Sequence, residues 1–139
     1  MSEIKVDTLT GKSTAKTVNV TVGATQTQSL QQGLVKSWVH FDAEGAAAVS
    51  GTPITRDSLN VSTIGDDGNG DYTVNFVNNF ANGYYATSGT GDHPQYIFTV
   101  DPSIDPTSSA FSMMYPYPGT ATSDIDIDNC STIHIGELA

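Results

Sequence analysis

The chain has 139 residues, 37% of them hydrophobic and 14% charged, with five basic residues against fifteen acids and a formal net charge of −10. That length suits one domain with a modest core, and the lack of Lys or Arg after Arg56 excludes from the C-terminal part the phosphate-facing basic patch that nucleic-acid binding needs. Cys130 is the single cysteine, so an intrachain disulfide is excluded as well.

The charge is uneven along the chain. Lys5, Lys12, Lys16, Lys36 and Arg56 all precede position 57, against four acids; from Asp57 onward there are eleven acids and neither Lys nor Arg. The two parts carry +1 and −11. An acidic surface without counter-charges points to salt tolerance, to a cationic or divalent-metal partner, or simply to a solvated face. Thr, Ser, Asn, Gln and Gly fill the rest, the balance of a β protein whose strands keep one wet side rather than of a disordered chain. No charged-then-apolar signal segment opens the sequence, and no apolar run approaches the ~18 residues of a membrane span. The expectation is a soluble protein made in a cytoplasm, with no membrane insertion, free to leave the cell in a released particle.

In chain order, residues 3–9 (EIKVDTL) predict a short strand closed by Gly11. Residues 16–22 alternate cleanly, with Val18, Val20 and Val22 on one face and Asn19 and Thr21 on the other. These two either pair through Thr10–Ala15 or extend as an arm onto a neighbouring subunit. Residues 25–35 predict a short helix or turn, since Leu30 and Leu34 share a helical face but Gly33 interrupts it. Residues 36–42 return to strand, with Trp38 as a half-buried anchor. Residues 43–55 are small and turn-rich, a loop with Pro53 at its edge.

The stretch from Arg56 to Phe76 predicts a β-hairpin around which the remaining strands are arranged. Leu59, Val61 and Thr63 fall on one face of its first arm; Tyr72, Val74 and Phe76 fall on one face of its second. Gly65 to Gly70 form the loop, with glycines for positive φ and Asp and Asn side chains that tolerate the left-handed region. Beyond it come a turn at Asn82-Gly83, a strand holding Tyr84 and Tyr85, and a strand over 95–100. A loop with two Asp-Pro pairs follows over 101–109. Strands are expected again from 110 up to Pro116, over 122–128 and over 131–138. Eight to ten short strands, no long helix and no internal repeat make an all-β fold.

Candidate chemistry is sparse. Asp124, Asp126 and Asp128 project from one face of the expected strand, where a divalent cation would relieve their repulsion; the competing reading packs Ile125 and Ile127 inward and leaves the aspartates in water. Asp67-x-Asn69-x-Asp71 imitates the start of a calcium loop but has Tyr72 and Asn78 where that loop needs Gly and Glu, so it is turn chemistry. His40, His93 and His134 form no zinc-type spacing, and the nucleophile elbow and glycine-rich phosphate loop are absent. No catalytic, cofactor-binding or metal-ligating residue is nominated, and the expectation is not an enzyme. Tyr84, Tyr85, Tyr96, Tyr115 and Tyr117 are weighed as sugar-stacking rings against core or edge fillers, with Tyr115 to Pro118 the best exposed, because its prolines prevent regular pairing.

Three stretches together resemble a family of small phage virion proteins, labelled tail-fibre or structural proteins, of phages that infect marine bacteria. They are SEIKVDTLTGKSTA at the N-terminus, LQQGLVKSWVHFD at 30–42, and RDSLNVSTIGDDGNGDYTVNFVNNFANGYYA at 56–86. The resemblance ends at Ala86, and Ala43–Thr55 departs from shorter members. It implies a non-enzymatic β protein in the virion, a homotrimer that contacts other virion proteins of tail or capsid and a host surface glycan. The expected architecture is an antiparallel β-sandwich or jelly-roll-like domain over 36–139, with an extended N-terminal arm or anchor over 1–35. Two roles follow: a tail-fibre-like attachment protein, or a capsid decoration protein stabilising the phage head. A glycan-cleaving virion enzyme is a third, which would need two acids facing across a cleft.

Overall fold

A computed structural model of the chain describes residues 7–8, 18–22, 26–43, 53–92, 98–114 and 126–139. It divides into two compact units, residues 1–34 and 35–139.

In the first unit, β1 (Asn19–Val22) pairs antiparallel with β2 (Gln26–Ser29), and one helical turn, α1 (Leu30–Gly33), follows. The amide of Leu30 donates to the Val18 carbonyl at 2.7 Å and closes the end of this hairpin. The alternating β1 strand thus finds its partner downstream, in a stretch expected to be helix or turn throughout. The strand expected over 3–9 lies largely outside the described residues.

The second unit holds eight strands in two antiparallel sheets. Sheet I takes β3 (Val35–Asp42), β4 (Ile54–Leu59), β7 (Ala86–Gly91) and β10 (Cys130–Ile135) in the order β4-β3-β10-β7. Sheet II takes β5 (Val61–Gly68), β6 (Asp71–Phe76), β8 (Thr99–Val100) and β9 (Ala110–Met114) in the order β5-β6-β9-β8. Period-2 alternation sends Val39 and Phe41 of β3 inward against Tyr72, Val74 and Phe76 of β6 and Phe111 and Met113 of β9. One core fed by both sheets makes the fold an all-β sandwich. No helix among the described residues is long and apolar enough to cross a membrane.

The hairpin differs from its expected form in three ways. Its first arm breaks at Asn60, whose φ of 60° lies in the left-handed region. Leu59 therefore ends a strand of sheet I and Val61 begins one of sheet II. Its loop is only Asn69-Gly70, because Gly65 to Gly68 remain in β5. Bulges between Val61 and Thr63 and between Asp66 and Gly68 then change the phase. Ile64, rather than Thr63, becomes the buried residue.

Other boundaries shift as well. Tyr84 and Tyr85 precede the strand instead of forming it, and β7 starts at Ala86. Asp126, Ile127 and Asp128 lie outside any strand. In the region 95–100, Thr99–Val100 is strand, and 93–97 lies outside the described residues. Gly89 in β7 has no side chain because the Phe98 ring lies directly over it and stacks on Phe111 with centroids 6.1 Å apart.

Candidate interaction surface

The side chains that could meet a partner are set out by the pleat of sheet I. Ser37, Val39 and Phe41 of β3 and Cys130, Thr132 and His134 of β10 point into the core, so the residues between them form the outer face. Register aligns these outer residues in rows across the strands. Leu59 of β4, Trp38 of β3, Ile133 of β10 and Ser88 of β7 make one row. Asp57, His40, Ser131 and Thr90 make the next, and Val35, Ile135 and Ala86 lie on the opposite side of the Trp38 row. A bulge between His134 and Ile135 accommodates Lys36, whose partly buried ammonium is pulled below the ordinary lysine range by desolvation.

One end of this face is a polar network. The Arg56 guanidinium pairs with Asp42 at 3.0 Å and donates to Asn129 Oδ1, and Asn129 Nδ2 donates to Asp92. Four chain segments are thereby tied across the sheet. Arg56 and Asp42 are both partly solvated, so this pair is worth at most about 1 kcal/mol and acts mainly to position side chains. His40 lies inside the network, its Nδ1 2.8 Å from Ser131 Oγ and its Nε2 3.5 Å from Arg56 Nη1. A guanidinium can only donate, so Nε2 accepts and Nδ1 carries the hydrogen. Ser131 Oγ is then the acceptor of that hydrogen.

The other end is apolar and open. Leu59 is 47% exposed, Ile133 41% and Val35 39%, with Trp38 half-buried among them. The outer face of a two-sheet sandwich ordinarily alternates to polar residues. The first unit has its own shallow apolar hollow, lined by Val20, Leu30 and Leu34.

The tyrosines separate into two roles. Tyr85 turns inward, stacks on Phe80 with centroids 4.3 Å apart and donates its hydroxyl to the Ala110 carbonyl at 3.0 Å. Burial pushes its phenol above the ordinary tyrosine range. Tyr84 is 95% exposed, and its amide is fixed by Asn82 Oδ1 at 2.8 Å. Tyr96, Tyr115 and Tyr117 lie outside the described residues.

The aspartate row is corrected. Asp126 turns toward the hairpin, where its Oδ1 accepts from the Gly70 amide at 2.8 Å and from the Tyr72 hydroxyl. Ile127 is buried, Asp128 is exposed, and Asp124 lies outside the described residues. Asp126 and Asp128 do not share a strand face, because residues 126–128 are not in a strand. In the hairpin, Asp66 Oδ1 accepts from the Gly68 amide and Asp67 Oδ2 from Thr73 Oγ1, which is turn and cross-strand chemistry. Among the described residues, no group of three His, Cys, Asp or Glu side chains is placed to hold a metal ion.

His93 lies outside the described residues, and His134 is a core residue. Its ring packs among Phe76, Phe80, Tyr85 and Phe111 at centroid distances from 4.9 to 6.5 Å. Nε2 meets Thr132 Oγ1 at 3.2 Å, whereas Nδ1 has no partner. Desolvation lowers its pKa to about 4. The alternation of STIHIGEL sets His134 opposite Ile133 and Ile135, so an apolar-inward reading of the strand would put the ring in water; the pairing of β10 between β3 and β7 turns it inward instead.

No family model, curated protein or solved structure matches the chain. Fold and surface geometry therefore carry the functional reading.

Proposed function

We propose that this chain is a non-enzymatic structural protein of a phage particle, tail-fibre-like, displayed on the virion surface as a homo-oligomer and contacting the host cell through exposed aromatic side chains. The observation that carries the reading is Tyr84. A ring 95% exposed does nothing for the core, and its backbone is nonetheless held by Asn82. Such a ring offers a flat apolar face to sugar C–H groups at small entropic cost. The sandwich supports the same reading, because its polar groups serve turns, bulges and cross-strand ties. The resemblance of residues 1–86 supplies the virion context.

Labelled imaging of purified particles tests the placement, with signal at the tail expected. Tyr84→Ala should leave folding intact and reduce adsorption to host cells about tenfold, the effect of losing one aromatic anchor. Particles without the protein would remove the reading. Capsid decoration is favoured by one feature, the partly apolar outer face of sheet I, which suits lateral contact with a neighbouring subunit. A high copy number per particle, together with normal adsorption of a deletion mutant, selects decoration over attachment.

A further inference from the structure

We propose that copies of this chain associate through the apolar end of the outer face of sheet I, centred on Trp38. This names the surface behind the homo-oligomer above and rests on that part of the reading. Register places Val35, Ile135 and Ala86 in one row and Leu59, Trp38 and Ile133 in the next, a contiguous apolar area on a face that ordinarily alternates to polar.

Charge selects the occupant. Residues 35–139 carry thirteen acids against Lys36 and Arg56 as the only Lys or Arg. Both cations belong to β3 and β4, the strands that carry Trp38 and Leu59, where they balance Asp42 and Asp57, and neither apolar row contains a carboxylate. A cationic partner would be drawn to the acidic surfaces elsewhere and away from Lys36. Two copies of a chain at −10 repel over most of their surfaces, and this area is where that repulsion is least. A patch that is apolar and free of carboxylates is complementary to itself, as a contact between identical chains requires. The association is driven by apolar burial against a charge penalty, so added salt should strengthen it.

Trp38, the only tryptophan in the chain, reports on the contact from inside it. Sedimentation of the full chain across a concentration series should show an oligomer whose dissociation on dilution shifts Trp38 emission to the red. Raising NaCl from about 0.05 to about 0.5 M should lower the dissociation midpoint. Leu59→Lys and Ile133→Lys, at exposed sites, should each weaken assembly about tenfold or more. Val77→Lys, at an apolar residue 62% exposed outside these rows, should assemble as the wild type does. Circular dichroism checks each fold; Leu59→Ser and Ile133→Thr replace any lysine variant that does not fold. An oligomer that survives both face variants overturns the face and leaves the oligomer standing. A chain that is monomeric throughout, whether or not Trp38 is shielded, overturns both.

Discussion

His134 sits between Ser37 and Thr87 in one row of sheet I, on the core side. Ser37 Oγ, Thr87 Oγ1 and His134 Nδ1 are all buried without a hydrogen-bond partner. An orphaned hydroxyl costs its desolvation and returns little, so Ser37→Ala should be neutral or stabilising by up to about 1 kcal/mol, measured by urea denaturation. The histidine carries a pH dependence of definite sign. Its folded pKa, about 4, lies below the ordinary 6.5 of the unfolded chain, so the unfolded state binds the proton first. This stability is complete above pH 6.5 and is lost as the pH falls from there to about 4. A shift of that size corresponds to about 3 kcal/mol. His134→Phe should flatten this part of the profile, and the difference between the two proteins separates it from carboxylate titration. No charged side chain is among the ring contacts or hydrogen-bond partners of the imidazole, which are aromatic rings and the Thr132 hydroxyl. Had β10 been slipped by one residue, Ile133 would be buried and His134 wet, and the pH dependence would vanish.

At the scale of elements, the decisive piece is the corner between β4 and β5. Asn60 turns the chain from one sheet to the other with a left-handed backbone, and its side chain secures the corner. Its Oδ1 accepts from the Asn78 amide at 2.6 Å and from Asn78 Nδ2 at 3.1 Å, while its Nδ2 donates to the Asn78 carbonyl at 3.0 Å. Asn60→Gly keeps the backbone conformation and loses these bonds; Asn60→Ala loses both. Alanine should therefore destabilise more than glycine, with a total cost of about 2–4 kcal/mol read from chemical denaturation. The strength of β propensity around Asn60 explains why one unbroken arm was expected. Leu59, Val61 and Thr63 alternate well, and only a residue tolerant of positive φ marks the break. Bulges are hidden in the same way, since an extra residue in one strand is visible only against its partner.

For the whole molecule, the governing quantity is charge. With thirteen acids on residues 35–139 and two compensating cations, the folded state repels itself, and screening should raise the melting temperature as NaCl increases. Calcium at equal ionic strength should add nothing, because Asp126 Oδ1 already accepts from the Gly70 amide and the Tyr72 hydroxyl, and no group of three His, Cys, Asp or Glu side chains among the described residues is placed to hold a metal ion. A calcium-specific rise, abolished by chelator, would restore the aspartates as a cation site.

Fold class was legible in local pattern, because alternation and turn residues are encoded within a few positions of one another. The inward sides of β3 and β6 follow from period-2 alternation alone, and Trp38 is half-buried as its size led one to expect; β10 is the exception, because its apolar Ile133 and Ile135 face outward while Thr132 and His134 face the core. What belongs to tertiary structure is which segments become neighbours. Tyr84 and Tyr85 are identical side by side in sequence, yet one is surface and the other core, because only Tyr85 meets Phe80 and Phe111. The apolar rows of sheet I exist only once β3, β4, β7 and β10, far apart in the chain, come into register. Local sequence determines which way a strand's side chains alternate; long-range pairing decides what they stand beside.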